Sequence, residues 1–258
     1  MCRLLAYLGE PTRVASLVYG GDHSLYEQSW APRELISGSV NADGYGVVWY
    51  HEGRPARIAE ARPIWYDDDL RQTLDTIRAG TVIAALRNGT PGIPVDRSGL
   101  LPMVDDQWSF VLNGFVPDFR ASHMRALRST LPDELYGRLR GASDSETLFL
   151  LALAEVRNGT SLVNALIAVV RRVTERVGQD EAQLNMVLSD GEVLAAVRSS
   201  NVDRTNSMYT ATGSNLAPDG HILTSEPPEG DSDWNHIPDH TSVVIDSYGV
   251  TQSPLVSG

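Results

Sequence analysis

Asn41-Ala42-Asp43-Gly44-Tyr45-Gly46 runs directly into Val47-Val48-Trp49-Tyr50, a polar, glycine-punctuated turn feeding a β-branched and aromatic run. Val, Trp and Tyr suit a pleated, half-buried surface, and glycine marks places where a chain turns or backbones approach closely. The same kind of junction recurs along the chain. Ala85-Leu86-Arg87-Asn88-Gly89-Thr90-Pro91-Gly92 begins at a strand end, Phe110-Val111-Leu112-Asn113-Gly114 is a strand finishing in a polar turn, and Ser143-Asp144-Ser145-Glu146 opens a helix. Asn-Gly and Asp-Gly are ordinary turn residues and Ser-Asp-Ser is a good N-cap, so each junction alone reads as punctuation. Together they put polar groups where a sheet meets its rim, a common place for sites.

Outward from these junctions, two periods alternate. Period-two runs predict strands over Arg3–Leu8, Val47–Tyr50, Arg57–Glu60, Thr81–Arg87, Ser109–Asn113, Leu184–Ser189, Val193–Arg198, Met208–Thr212, His221–Ser225 and Ser242–Asp246. Short turns at His51-Glu52-Gly53-Arg54, at Asp190-Gly191 and at Ser247-Tyr248-Gly249 fit hairpin connections. Helical spacing predicts helices over Asp67–Ala79, Ser145–Arg157 and Ser161–Val177, the last with an apolar face of Leu162, Ala165, Leu166, Val169 and Val173. Hairpins with two long helices grouped mid-chain imply an α+β arrangement of helices packed on sheets. Glu226–Asp239, rich in Pro, Gly and Asp, reads as a surface loop, and no repeat or linker divides the chain.

The 258 residues are enough for a large core and are read as a single domain over residues 2–258. With 21 basic against 33 acidic residues the net charge is −12, which argues against nucleic acid or an anionic membrane as partner. No apolar run reaches the roughly 18 residues of a membrane span, and a cytoplasmic protein is expected. The single cysteine excludes an internal disulfide and a cysteine-based metal site. The oligomeric state is not legible.

That cysteine is Cys2. Removal of Met1 would leave a thiol and a free α-amine on one residue, the amine having a reference pKa of about 7.7–8.0 and so able to serve as general base. A thiol with a base built into its own backbone is a compact nucleophile. The competing reading is a small buried apolar residue that happens to stand at position 2.

The order of the junctions decides between them. Cys2, then Asn41-Ala-Asp-Gly-Tyr-Gly46, then Arg87-x-x-Thr90-x-Gly92, then Asn113-Gly114, then Ser143-Asp-Ser145 closely resembles the class II glutamine amidotransferases, a family of N-terminal-nucleophile hydrolases. Arg62-Pro-Ile-Trp65, Leu184-Asn-Met-Val-Leu188, Ser225-Glu-Pro227 and Ile237-Pro-Asp239 resemble its ergothioneine-pathway branch, whose members remove glutamate from γ-glutamyl-hercynylcysteine sulfoxide. The resemblance implies a four-layer αββα sandwich and hydrolysis of a γ-glutamyl amide through a Cys2 thioester, with no cofactor and no metal. It assigns Cys2 as nucleophile and Asn113 with the Gly114 N–H as oxyanion donors. Arg87 would grip the α-carboxylate of the small-molecule substrate and Asp144 its α-ammonium, with Thr90, Asn88 and Ser143 in the same binding set.

The chain departs from the family where imidazoles are common, carrying Ala85, Leu101 and Leu112, and Arg87-Asn-Gly-Thr90 replaces the usual Arg-x-Ala-Thr. A less polar pocket is therefore expected. Two other readings stay open: a glutaminase subunit handing ammonia to a separate synthase, and an inactive homologue that only binds γ-glutamyl compounds. His221, His236 and His240 with Asp231, Asp233 and Asp239 could form a metal site, but their spacing lacks the tight helical or hairpin pattern that ligand geometry requires. Trp65 and Trp234, flanked by Pro and Asp, are candidates for an aromatic contact to a trimethylammonium leaving group.

Overall fold

In the computed structural model, which describes residues 2–36, 38–89, 97–201, 205–230 and 232–255, the expected strands all form. In chain order the elements are β1 (Arg3–Arg13), α1 (Val14–Tyr19), β2 (Gly44–His51), β3 (Arg54–Glu60), α2 (Leu70–Asp75), β4 (Arg78–Arg87), β5 (Met103–Asp105) and β6 (Trp108–Phe115). They continue with α3 (Met124–Arg128), α4 (Asp133–Tyr136), α5 (Asp144–Arg157), α6 (Leu162–Val177), β7 (Gln183–Ser189) and β8 (Leu194–Arg198). The last are β9 (Tyr209–Ser214), β10 (Ala217–Thr224), β11 (Asn235–His236), β12 (Thr241–Asp246) and β13 (Gly249–Pro254).

The strands make two antiparallel sheets, of order β11-β9-β10-β1-β4-β2-β3 and β13-β12-β8-β7-β6-β5. Alternation along β1 explains how they stack. Leu4 and Ala6 face the second sheet and join Leu112, Val187 and Ala196 in one buried cluster, while Leu5 and Tyr7 face the other way, onto Val14, Leu17 and Val18 of α1. Helices α5 and α6 cover the outer face of the second sheet, so the layers run α, β, β, α as expected. The α6 stripe is the one its spacing implies, with Leu162, Ala165, Leu166, Val169 and Val173 all buried. Helix α5 is buried from Asp144 to Ala154 on every face, because β6 lies on one side and α3, α4 and α6 on the others.

A hydroxyl tie holds the two sheets together at one end. Tyr50, at the end of β2, places its hydroxyl 2.8 Å from Ser109 Oγ and donates to Ser189 O at 3.0 Å, both on the second sheet. Gly191 (φ +97°) makes room for that ring, since a Cβ there would lie 2.4 Å from Tyr50 Cδ1.

Two expectations are corrected, and one expected hairpin gains its second strand. The helix expected over Asp67–Ala79 spans only Leu70–Asp75, and Arg78 and Ala79 belong to β4, paired with Arg13 and Thr12. Leu70 and Leu74 are its two buried residues, one turn of apolar face, and beyond them ladder pairing replaces helix propagation. The segment Glu226–Asp239 is not simply a surface loop: Glu226 is buried and Asn235–His236 pairs with β9. The turn at Ser247-Tyr248 leads into a further edge strand, β13, whose mostly polar residues hid it. No helix among the described residues is long and apolar enough to cross a membrane.

Candidate functional site

The end of the sandwich opposite Tyr50 gathers the junctions. Arg3 pairs with Leu86 and Gly44 with Arg87, which brings the start of β1, the start of β2 and the end of β4 to one rim. Cys2 is buried there, in the inter-sheet cluster, with its Sγ 3.9 Å from the Asn88 carbonyl. The Asn41–Gly46 stretch acts as a clamp on the β4 end. Asp43 N–H donates to Arg87 O at 3.0 Å, and Asp43 Oδ2 accepts the Gly89 N–H at 2.6 Å.

Arg87 is itself buried, and two glycines give its guanidinium room: a Cβ at Gly99 would lie 3.2 Å from Nη2 and one at Gly89 3.5 Å. Ser98 and Leu100, on either side of Gly99, line a neighbouring cavity of about 560 Å³ together with Arg57, Arg97, Arg140 and Glu146. Burial and the charges of Arg97 and Arg140 pull the Arg57 pKa down, so this recess is locally cationic on a chain of net charge −12.

Across the sandwich, Asn113 is fully buried on β6 opposite Asn185. Its Nδ2 donates to Ser225 Oγ at 3.1 Å, while Asn206 Nδ2 donates to its backbone O at 3.2 Å and to Oδ1 at 3.4 Å. Only glycine fits at 114, because a Cβ would fall 1.9 Å from Gln183 O on β7. Asp144, the first residue of α5, reaches back to the same strand end: Oδ2 accepts the Val116 N–H at 3.0 Å and Oδ1 the Ser145 N–H at 2.8 Å. Burial raises the Asp144 pKa, and the hydrogen bonds from Val116 and Ser145 only partly offset it. An ammonium group is the species that would relieve it. Ser143 is the N-cap of α5, its Oγ accepting from Glu146 N at 3.2 Å.

Cys2, Arg87, Asn88, Asn113, Gly114, Ser143 and Asp144 thus stand at the rim where the β1, β4 and β6 ends meet the first turn of α5. Thr90 lies outside the described residues, as does Asp231 of the candidate metal set. Among the described residues no three His, Cys, Asp or Glu side chains converge on a metal position. Ala85, Leu101 and Leu112 pack in the same buried apolar cluster as Cys2. Trp65 lies on the other side of the first sheet, edge-on to Trp30 with centroids 6.0 Å apart, and Trp234 packs in that same outer cluster.

One network went unassigned in the sequence. Glu226 Oε1 lies 3.0 Å from Arg3 Nε and Oε2 is 2.7 Å from His23 Nε2, all three side chains essentially without solvent exposure. The Arg33 and Glu34 N–H groups donate to the same carboxylate at 2.8 and 3.0 Å. The Arg3 contact lacks hydrogen-bond alignment, and its terminal nitrogens have no hydrogen-bond partner among the described residues, so Glu226 is its charge partner. Ser225-Glu226-Pro227 stands out as a motif in the sequence, but nothing local in it announces that Ser225 and Glu226 turn inward.

Residues 1–212 match the family model described as class-II glutamine amidotransferases. A protein of Mycolicibacterium smegmatis named gamma-glutamyl-hercynylcysteine sulfoxide hydrolase is 32% identical over 262 residues, covering 99% of this chain and 100% of that one. A protein of the same name from Mycobacterium tuberculosis is 29% identical over 259 residues, covering 99% and 97%. Among solved structures, a glutamine aminotransferase class-II domain protein from Silicibacter pomeroyi superposes with a TM-score of 0.73 at 25% identity, covering 98% of both chains. Glutamine phosphoribosylpyrophosphate amidotransferase from B. subtilis shares the fold at a TM-score of 0.68 and 12% identity, over all of this chain and 50% of that one.

Proposed function

The chain belongs to the class-II glutamine amidotransferases, and from that premise we propose that it hydrolyses a γ-glutamyl amide, γ-glutamyl-hercynylcysteine sulfoxide, to release glutamate. The observation that carries this reading is the end-to-end likeness to two hydrolases of that name, and the burial of Cys2, Arg87, Asn113 and Asp144 near strand ends and at the start of α5 supports it.

Each residue has a role its chemistry can bear. With Met1 removed, the α-amine of Cys2 takes the thiol proton and Sγ attacks the γ-carbonyl carbon. The oxygen becomes an oxyanion between the Gly114 N–H and the second Nδ2 hydrogen of Asn113, the first being given to Ser225. Collapse breaks the C–N bond, and the ammonium formed at Cys2 protonates the departing amine. Water, deprotonated by the same amine, then cleaves the thioester and regenerates the thiol. Arg87 holds the α-carboxylate by its fork, and the substrate α-ammonium gives the buried Asp144 carboxyl a counter-charge. Reading an amino-acid head from both ends selects glutamyl over simple acyl groups.

The likeness to hydrolases named for a bulky γ-glutamyl amide favours this reading over an ammonia-supplying glutaminase, and apolar contact with the leaving group, which ammonia cannot use, separates the two. Each buried methylene is worth about 0.8 kcal/mol. The test is kcat/KM for glutamine against γ-glutamyl-hercynylcysteine sulfoxide on one preparation. The second should exceed the first by about a hundredfold or more, the effect of three or four such groups. An equal or higher value for glutamine would assign the glutaminase role instead. Protein forced to keep Met1 should be inactive, and equal turnover by it would end the N-terminal-nucleophile mechanism.

A further inference from the structure

We propose that Ser225 is a positioning residue that fixes the strand of the nucleophile and the oxyanion donor in one relation across the gap between the two sheets. This rests on the reading of Asn113 as oxyanion donor.

The argument starts from the β1–β10 ladder. Leu5 pairs with Thr224, so the next antiparallel pair is Leu4 with Ser225. Half of that pair is present, Ser225 N–H donating to Leu4 O at 3.0 Å. The other half is replaced. Leu4 N–H donates at 3.0 Å to Ser225 Oγ rather than to the Ser225 carbonyl, which accepts instead from Ser207 Oγ at 2.9 Å. A hydroxyl has thus taken the place of a ladder carbonyl, at a residue with 1% exposure.

The substitution gives the side chain a second task. Ser225 Oγ accepts from Asn113 Nδ2 at 3.1 Å, on the other sheet. Both lone pairs of the hydroxyl are therefore engaged, one by the strand that begins next to Cys2 and one by the carboxamide of Asn113. Asn206 holds the opposite end of that carboxamide by donating to Oδ1 at 3.4 Å. Its own position is set by Asn185 Nδ2 and Arg198 Nε, which donate to the Asn206 carbonyl at 2.8 and 2.9 Å. With Oδ1 and one Nδ2 hydrogen assigned, the plane of the amide is defined and the second Nδ2 hydrogen has one direction left. Alanine at 225 keeps the backbone bond but loses both hydroxyl contacts. Threonine keeps them.

The experiment uses Ser225→Ala, Ser225→Thr, Asn113→Ala and the double variant Ser225→Ala/Asn113→Ala in the full chain. Two readouts are taken: kcat and KM for γ-glutamyl-hercynylcysteine sulfoxide, and the rate at which 6-diazo-5-oxo-norleucine alkylates Cys2. The second needs no particular leaving group, and the ketone oxygen of that glutamine-shaped probe occupies the oxyanion position. Ser225→Ala should lower kcat and labelling about tenfold to a hundredfold, the effect of a catalytic group misplaced by about an ångström, with KM nearly unchanged. Ser225→Thr should recover most of the loss. In the Asn113→Ala background, Ser225→Ala should add nothing, because the group it aims is gone. If Ser225→Ala is too unstable to assay, Ser225→Cys, similar in size with a weakly accepting sulfur, should give the same pattern. Losses that multiply in the double variant, or normal kcat and labelling in Ser225→Ala, overturn the proposal and leave the oxyanion reading standing. If Asn113→Ala itself changes neither readout, the oxyanion reading fails and the positioning role falls with it.

Discussion

Glu226→Ala removes the carboxylate that faces Arg3, and the structure sets the scale of the loss. Arg3 has 0% side-chain exposure and Glu226 1%, so neither charge can turn to water when its partner goes. Breaking a buried ion pair from one side costs about 3–5 kcal/mol, because the remaining charge stays desolvated. The Arg33 and Glu34 N–H groups add little, since both residues are exposed and water can replace the carboxylate. At about 2–4 °C per kcal/mol for a chain of this size, the melting midpoint should fall by roughly 6–20 °C. Urea denaturation followed by circular dichroism measures the free energy directly. Glu226→Gln, which keeps an acceptor without the charge, should fall between. The pH dependence has a definite sign. Burial pushes the Glu226 pKa up, but the His23 hydrogen bond, the Arg3 charge and the two N–H groups outweigh it and bring it below the ordinary 4.5. Its contribution is therefore whole above about 4.5 and is lost as pH falls through the lower folded value. The gap between wild type and Glu226→Gln should narrow over that window alone. A loss under about 1 kcal/mol at neutral pH would show that Arg3 finds its compensation elsewhere.

Three further outcomes are expected. Because burial holds the Asp144 pKa above its ordinary 3.8, binding of the α-ammonium needs a proton removed, and the acid limb of kcat/KM should lie above the usual carboxylate range. Asp144→Asn should weaken binding and abolish that limb, and a limb surviving unchanged in a pH profile would exclude Asp144 from substrate binding. Gly114→Ala drives a Cβ to 1.9 Å from Gln183 O, a backbone atom that cannot swing away, so β6 must shift from β7. About 1–3 kcal/mol of stability and most of kcat should go together, seen by thermal melting and turnover. Arg87→Lys keeps the charge without the bidentate fork and should weaken γ-glutamyl binding by about 1.5–3 kcal/mol, read as a rise in KM. An unchanged KM would put the α-carboxylate elsewhere.

Much of the candidate site was legible as a set of positions because its residues sit at junctions that local chemistry marks. Asn113-Gly114 ends a strand, Ser143-Asp144 caps a helix and Arg87-Asn88-Gly89 leaves a strand, so glycine, capping and alternation each point at a rim position. The α6 stripe and every expected strand were legible for the same reason, since side-chain period alone decides which face is buried. Helix length was less so: Asp67–Ala79 has helix-compatible residues throughout, but Arg78 and Ala79 gain more by extending the β1–β4 ladder against Arg13 and Thr12.

Tertiary structure alone decided what lies between the junctions. Ser225 and Asn113 are 112 residues apart, and Glu226 and Arg3 meet only because β10 lies against β1. A serine and a glutamate before a proline read as turn and surface in any local window, since the partners that make their burial tolerable are invisible there. Only when two sheets stack does a hydroxyl find a strand amide on one side and a carboxamide on the other, and only then does a glutamate find a buried guanidinium. Local propensity and periodicity belong to the sequence by itself. Compensation of buried polar and charged groups is a property of pairs brought together from afar, and it is set by the topology that brings them together.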